Sequence, residues 1–260
     1  MEKRKMPVVF SGHGNPMLAL DNNAITEEMF NIGSKILKEF GKPKAILAIS
    51  GHWFTRGSYI QHTAEPRQVY DNMYGFPEEL YDVKYKVAGS IELSEEVSKM
   101  LGDKVTVNNE WGIDHGIWTV LMHMFPNASI PVVQLSVNEN LSPRESFQLG
   151  TQLSSLREEG YLIFGSGNVV HNIKDIDLQN PNGTSKAEKF NKCITTAIKN
   201  NDVESVIRYT KHDNFYYAVP TTDHFLPLLY CLGAAQGSNV SVFNNFCKLG
   251  SMAMTGYYWN

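Results

Sequence analysis

Ala45-Ile-Leu-Ala-Ile49 runs directly into Ser50-Gly51-His52-Trp53, and the fold of the whole chain is read outward from this stretch. Its apolar residues are continuous rather than alternating, which suits a strand covered on both faces, as in a parallel sheet. The same pattern opens the chain, where Pro7-Val-Val-Phe10 leads into Ser11-Gly12-His13-Gly14. It returns at Tyr161–Phe164, continued by Gly165-Ser-Gly-Asn-Val-Val-His171-Asn172, and a fourth run spans Pro131–Val137. Open α/β sheets bind ligands beyond the carboxyl ends of their strands. Three of these runs lead into a histidine, each with small residues that let backbone and side chains converge.

Helical patterns separate the runs. Ile25–Phe40 has a start at Asp21/Asn22, Ile91–Leu101 stops at Gly102, and Pro143–Glu159 stops at Gly160. Further on, Lys186–Asn200, Val203–Thr210 and Asp223–Ala235 read as helices, the last with Thr221, Thr222 and Asp223 as caps. Strands alternating with helices predict a three-layer α/β/α sandwich around a central, mainly parallel or mixed sheet. Asp177–Ser185, rich in Asn, Gly and Pro, reads as a mobile loop. Nothing marks a boundary, so residues 1–260 are expected to form one catalytic domain.

Composition narrows the function. With 260 residues, 42% apolar and 19% charged, the chain has the profile of a globular protein with a sizeable core. Its 23 basic and 27 acidic residues leave a net charge of −4, which argues against nucleic acid or anionic lipid as partner. Cys193, Cys231 and Cys247 form no C-x-x-C pair, which speaks against a disulfide framework and a cysteine-rich zinc site and for a reducing compartment. The Val8–Phe10 run is far too short for a signal-peptide core or a spanning helix, so the expected location is cytoplasmic.

Five of the eight histidines stand in unusual contexts: His13, His52 and His171 after strands, His115 within Trp111-Gly-Ile-Asp-His-Gly-Ile-Trp118, and His224 within Thr221-Thr-Asp-His-Phe225. Neutral imidazole binds zinc, iron and copper, and a free imidazole moves protons near neutrality. A lone histidine after a strand is more often a hydrogen-bonded turn residue. The paired Ser-Gly-His turns single out His13 and His52, whereas His62, His123 and His212 read as structural. Gly165-Ser-Gly-Asn lacks the Lys-Ser/Thr of a phosphate-binding loop, Ser11 and Ser50 lack the G-x-S-x-G elbow of a serine hydrolase, and Met122, Met124, Met252 and Met254 read as core filler.

Taken together, Gly12-His-Gly14 with Pro16-Met17, His52-Trp-Phe-Thr55, Tyr74-Gly-Phe-Pro-Glu-Glu-Leu-Tyr81, Trp111–Trp118, Gly167-Asn-Val-Val-His-Asn172 and His224-Phe-Leu-Pro-Leu-Leu-Tyr230 resemble the class III extradiol ring-cleaving dioxygenases of the LigB type, in their DOPA 4,5-dioxygenase-like branch. The resemblance spans nearly the whole chain. It implies that His13 and His52 bind metal and that His224 takes the third ligand position, where many LigB-type enzymes carry Glu. His171 matches the acid–base residue and is expected to lie close enough to coordinate as well. His115 matches a second pocket histidine that touches substrate or bound oxygen. Fe(II) is the expected cofactor for activity, and Zn(II) could occupy the same site. The implied partners are a small aromatic diol and O₂, with ring opening beside the two hydroxyls. Trp53, Phe76 and Tyr81 are candidates for an aromatic wall, and Arg56 and Arg67 for a cation at the pocket mouth facing a DOPA-like carboxylate. Two other readings stay open: a zinc-dependent hydrolase on the same histidines, and a catalytically silent metal-binding protein.

Overall fold

The structure, a computed structural model, describes residues 5–260 apart from Asn72. Ten strands appear in chain order: β1 (Val8–Gly12), β2 (Ile46–Thr55), β3 (Ser58–Ile60), β4 (Val105–Val107), β5 (Val132–Asn138), β6 (Leu162–Gly167), β7 (Val240–Phe243), β8 (Cys247–Lys248), β9 (Met252–Ala253) and β10 (Gly256–Trp259). The helices are α1 (Ala24–Phe40), α2 (Glu79–Asp82), α3 (Ile91–Leu101), α4 (His115–Met124), α5 (Pro143–Leu153), α6 (Leu156–Glu159), α7 (Ser185–Lys199), α8 (Val203–Ile207), α9 (Phe215–Ala218) and α10 (Leu226–Ala235).

The four apolar runs become β1, β2, β5 and β6, and they lie side by side, all parallel, in the order β5-β2-β6-β1. Antiparallel β10 and β7 extend the sheet beyond β1, and β3 with β4 extends it beyond β5, giving a mixed eight-stranded sheet. The runs do not alternate because both faces are covered. Val8 and Phe10, with Leu47 and Ile49, join a core shared with α3, α5, α7 and α10. Val9, with Ile46 and Ala48, joins a second core with α1 and α4 on the other face. The predicted three-layer sandwich is therefore observed.

Several boundaries differ from the sequence expectation for physical reasons. Helix α1 starts later than Asp21/Asn22, because Asn23 forms a reciprocal capping box with Thr26. Pro143–Glu159 is broken into α5 and α6, with Ser154 N–H turning back to the Thr151 carbonyl at 3.3 Å. The helix expected from Asp223 begins only at Leu226, since residues 222–225 form a turn closed by Phe225 N–H on the Thr222 carbonyl. Val203–Thr210 is helical only to Ile207 and then tightens into a 3₁₀ turn. Asp177–Ser185 is largely irregular, yet backbone bonds from Asp177 N–H to Leu249 O (3.0 Å) and Thr184 N–H to Gly250 O (2.7 Å) pin its ends beside the β8–β9 hairpin.

Helix α10 is buried along its whole length and packs closely on α5. The approach depends on two glycines facing the partner backbone: a Cβ at Gly150 would stand 2.0 Å from Tyr230 O, and one at Gly233 2.0 Å from Phe147 O. The buried Arg157 guanidinium finishes the helix by donating to the carbonyls of Ala234 and Ala235 (3.1 and 3.0 Å) and to Met6 O (2.7 Å). Gly233→Ala should therefore force α5 and α10 apart and destabilise the protein by about 1–3 kcal/mol, the usual cost of overpacking. Urea unfolding of the variant checks this, and an unchanged midpoint would show that the helices can separate freely.

Candidate metal centre and active site

The carboxyl ends of the parallel strands are built in tiers. Strand register sets Ser11 opposite Ser166, Ser166 opposite Ser50, and Ser50 opposite Ser136, so one row of buried hydroxyls crosses β1, β6, β2 and β5. Above that row come glycines. A Cβ at Gly51 would lie 2.7 Å from Asp223 O, and one at Gly167 would lie 2.1 Å from His224 O. Their bare Cα atoms let the 222–225 turn rest directly on the strand ends, which brings His224 to histidines far away in sequence.

His13 comes directly after β1, His52 lies in the irregular end of β2, and His224 hangs from that turn. Their ring centroids form a nearly equilateral triangle, with separations of 5.0, 5.1 and 5.0 Å. The Nε2 atom of His52 lies 3.2 Å from Nε2 of His13 and 3.2 Å from Nε2 of His224. Each Nδ1 is tied to an oxygen on the outer side: Ser166 Oγ for His13 (2.9 Å), Asp71 Oδ2 for His52 and Asp223 Oδ2 for His224. The Ser166 hydroxyl spends its single proton on the Gly116 carbonyl, so it accepts from His13. Carboxylates can only accept. All three rings therefore carry their proton on Nδ1 and aim Nε2 lone pairs at one another, an arrangement that is repulsive without a cation and typical of metal ligands with their outer partners.

The donor set fits a divalent metal ion. Metal–nitrogen bonds of about 2.05 Å would set neighbouring nitrogens about 2.9 Å apart at octahedral and about 3.3 Å at tetrahedral angles, and 3.2 Å lies between these values. Three neutral imidazoles suit zinc, iron or copper.

Two further histidines complete the cluster. His115 is the first residue of α4, and its Nδ1 and backbone N–H both donate to Asp71 Oδ1, at 3.1 and 3.2 Å. Asp71 thus bridges His52 and His115, whose rings meet edge to face at 3.9 Å. His171 stacks on His224 at 3.7 Å, nearly parallel, and its ring makes no hydrogen bond to any described residue. Behind them Asp114 accepts from Ser50 Oγ (2.8 Å), Trp111 Nε1 (3.2 Å) and Gln134 Nε2.

Burial sets the electrostatics. It holds His13, His115 and His224 below the ordinary imidazole value, and it takes His171 down to about 2 with help from neighbouring His224. For His52 burial also works downward, but the hydrogen bond to Asp71 and the surrounding aspartates outweigh it and the net shift is upward. Burial alone would raise Asp71 and Asp223, yet hydrogen bonds from His115, His52 and His224 keep both below the usual carboxylate range.

A cavity of about 270 Å³ opens over the cluster, lined by all five histidines together with Asn15, Pro16, Phe76, Ile173, Ile176 and Met252. Of the three aromatic residues expected on its wall, Phe76 is there and the other two are not. Trp53 is buried at 4% exposure away from the cavity, and Tyr81 supports the loop behind Phe76 by donating its hydroxyl proton to Met73 O. Neither arginine reaches the cavity: Arg56 pairs with Glu139 (2.7 Å) and Arg67 donates to Glu110 O. Met252, expected as core filler, lines the cavity. The orienting roles of Asp71, Asp114, Asp223 and Ser166 escaped the sequence reading, which took Asp223 as a helix cap, although Asp114 and Asp223 stand directly before His115 and His224, an adjacency that could have flagged them.

Comparison with known proteins identifies the family. Residues 7–256 match the family described as the catalytic LigB subunit of aromatic ring-opening dioxygenase. The chain is 35% identical to a 4,5-DOPA dioxygenase extradiol of Escherichia coli K12 over 98% of this chain and 94% of that protein. It is also 35% identical to the protein of the same description from Beta vulgaris, over 95% and 94%. A crystal structure of an uncharacterized Escherichia coli K12 protein superposes with a TM-score of 0.83 at 31% identity, covering 98% of this chain and all of that one. The chain belongs to the LigB family and is an extradiol ring-opening dioxygenase.

Asp71→Asn should weaken metal affinity by roughly 10–100-fold, since it loosens two histidines at once, whereas His171→Gln should leave affinity within a few-fold. Competition against a chromophoric chelator measures both, and equal losses would remove the distinction. In metal-free protein the depressed pKa values of His13, His115, His171 and His224 carry a second consequence. The unfolded chain takes up protons below about pH 6.5 while these buried rings resist, so folding stability should decline as pH falls through about 6.5 and below, offset in part by His52. Thermal melts of chelator-treated protein between about pH 7.5 and 5 should show a falling Tm. A Tm that holds or rises would contradict the assignment of neutral rings.

Proposed function

We propose that the enzyme opens the ring of a catechol beside its two hydroxyls, with a single ferrous ion held by His13, His52 and His224 and with O₂ as co-substrate. The observation that carries this reading is the asymmetry of the site: three histidines with Nδ1 committed and Nε2 converging, next to His171 with neither ring nitrogen bonded to any described residue. The iron would supply one centre on which diol and O₂ meet and the redox capacity that couples them, which zinc lacks.

The residues of the chain do the rest. Neutral His171 faces the cavity and accepts a phenolic proton, and the diolate formed beside it raises its otherwise low proton affinity. Asp71 fixes the proton of His115 on Nδ1, so a neutral His115 offers a lone pair at Nε2. His115 therefore acts first as an acceptor and donates to a charged oxygen only after protonation, when Asp71 supports the imidazolium. Phe76 and the aliphatic wall exclude water from the ring. Both oxygen atoms of O₂ end in the product, an unsaturated semialdehyde acid. The three free cysteines, two of them buried, support a reducing and therefore cytoplasmic location.

The three-imidazole donor set also suits zinc-activated hydroxide, so the test carries a zinc arm. Metal-stripped protein reloaded anaerobically with Fe(II) should consume O₂ on addition of catechol and form a yellow product, and zinc-loaded protein should not. His171→Gln, which keeps its metal, should lose roughly 100-fold or more in kcat, the scale of a general base. Normal turnover by that variant would remove His171 from the mechanism, and ester or amide hydrolysis by the zinc form alone would replace the ring-opening reading.

A further inference from the structure

We propose that the thioether of Met252 is a modification site of this enzyme, oxidised to the sulfoxide by hydrogen peroxide set free inside the cavity when a diol reduces O₂ without opening its ring; this rests on the ring-opening reading above. The backbone fixes where Met252 sits. His171 and Met252 face each other across an isolated antiparallel bridge. The flanking bonds run from Asn172 N–H to Ser251 O (3.2 Å) and from Ala253 N–H to Val170 O (3.0 Å), so the two residues form the non-hydrogen-bonded kind of pair. In such a pair the Cα atoms stand about 4.5 Å apart and both side chains leave the same face. Both line the cavity. The Met252 sulfur also reaches the turn after β1, since a Cβ at Gly14, the residue following His13, would stand 3.9 Å from it. Met252 thus lies between the base and one of the metal-binding histidines.

Its surroundings decide which oxidant meets it first. Met252 is 3% exposed, whereas Met17, Met100 and Met122 are partly open to solvent. Peroxide arriving from bulk water therefore encounters those three first. Peroxide formed in the cavity encounters Met252, because no other methionine lines it among the described residues. The chemistry balances in two steps. A diol that passes two electrons and two protons to O₂ leaves as the ortho-quinone and yields H₂O₂. A sulfur lone pair then attacks one peroxide oxygen and the O–O bond breaks; the proton of the attacked oxygen passes to the other, which departs as water, so sulfur loses the two electrons that the peroxide gains. The product side chain is polar where the thioether was apolar, and it stands among Pro16, Phe76, Ile173 and Ile176. It also stands beside His171, whose ring makes no hydrogen bond to a described residue. The sulfoxide oxygen is an acceptor for the ring proton of His171, and that bond takes the base out of use.

The test compares two sources of oxidant and reads each methionine by peptide mass spectrometry. Iron-loaded protein receives successive additions of catechol in air, with catalase present to destroy peroxide that escapes. Zinc-loaded protein receives hydrogen peroxide from solution without catalase. Turnover should oxidise Met252 ahead of Met17, Met100 and Met122, in proportion to the activity lost, and peroxide from solution should reverse that order. Fresh Fe(II) should not restore the lost activity. Met252→Leu, compared with its own initial rate, should lose several-fold less activity per turnover. Met252 left unmodified after repeated turnover, Met252 oxidised no sooner than the other three, or a loss fully repaired by fresh Fe(II) overturns the proposal while leaving ring opening intact. Failure of iron-loaded protein to turn over any catechol overturns this proposal and the ring-opening reading together.

Discussion

The Nε2 lone pairs of His13 and His224, each 3.2 Å from Nε2 of His52, crowd against it, and such a cluster is held together when something outside pins each imidazole and relieved when a cation enters it. Here the outer pins are Ser166, Asp71 and Asp223, each accepting the Nδ1 proton of one histidine. Flipping any ring would strand its buried Nδ1–H donor and turn a C–H in place of the Nε2 lone pair toward the cluster, a double penalty. Affinity for a divalent ion held there would come from the orientation of the outer oxygens as much as from the three rings.

Two of those oxygens, on Ser166 and Asp71, are in turn fixed by the start of α4. Gly116 offers its carbonyl to Ser166 and so decides the direction of the His13 bond, while a Cβ at Gly116 would crowd Ser50 Oγ at 2.9 Å. Asp114, just before the helix, gathers Ser50, Gln134 and Trp111. His115 between them shares Asp71 with His52. The Trp111–Trp118 segment therefore acts as a clamp that ties β2, β5 and β6 to the histidine cluster, and it can do so because the row of serines keeps polar hydroxyls at a depth where the strands are otherwise wholly apolar.

This division explains what the sequence disclosed. The central strands were legible because a strand buried on both faces must be continuously apolar, as at Ala45–Ile49. The short outer strands β4, β3, β10 and β7 were not, since their pairing is decided by neighbours far along the chain. Histidine after a strand is a local signal, and all five candidates converge on one cavity. Asp71 and Ser166 gave no local signal, because a carboxylate or hydroxyl becomes an orienting group only through the partner that folding brings to it. Trp53 and Tyr81 show the converse: an aromatic residue near a site in sequence packs behind the wall as readily as on it.

The remaining asymmetry gives the site its direction. His13, His52, His115 and His224 each have Nδ1 bound to an oxygen, so their proton is fixed on that side. His171 is held by stacking on His224 and by burial, neither of which selects a tautomer. A proton arriving on His171 would place a cation against the His224 ring 3.7 Å away, with the more distant Asp223 as partial compensation. In the proposed reaction such a proton would be taken up while an anionic diolate lies beside it and released once that charge is lost. A base that held its proton firmly would trap the enzyme after one turnover, so in the proposed reaction the unfavourable stacking would let His171 return the proton and begin again.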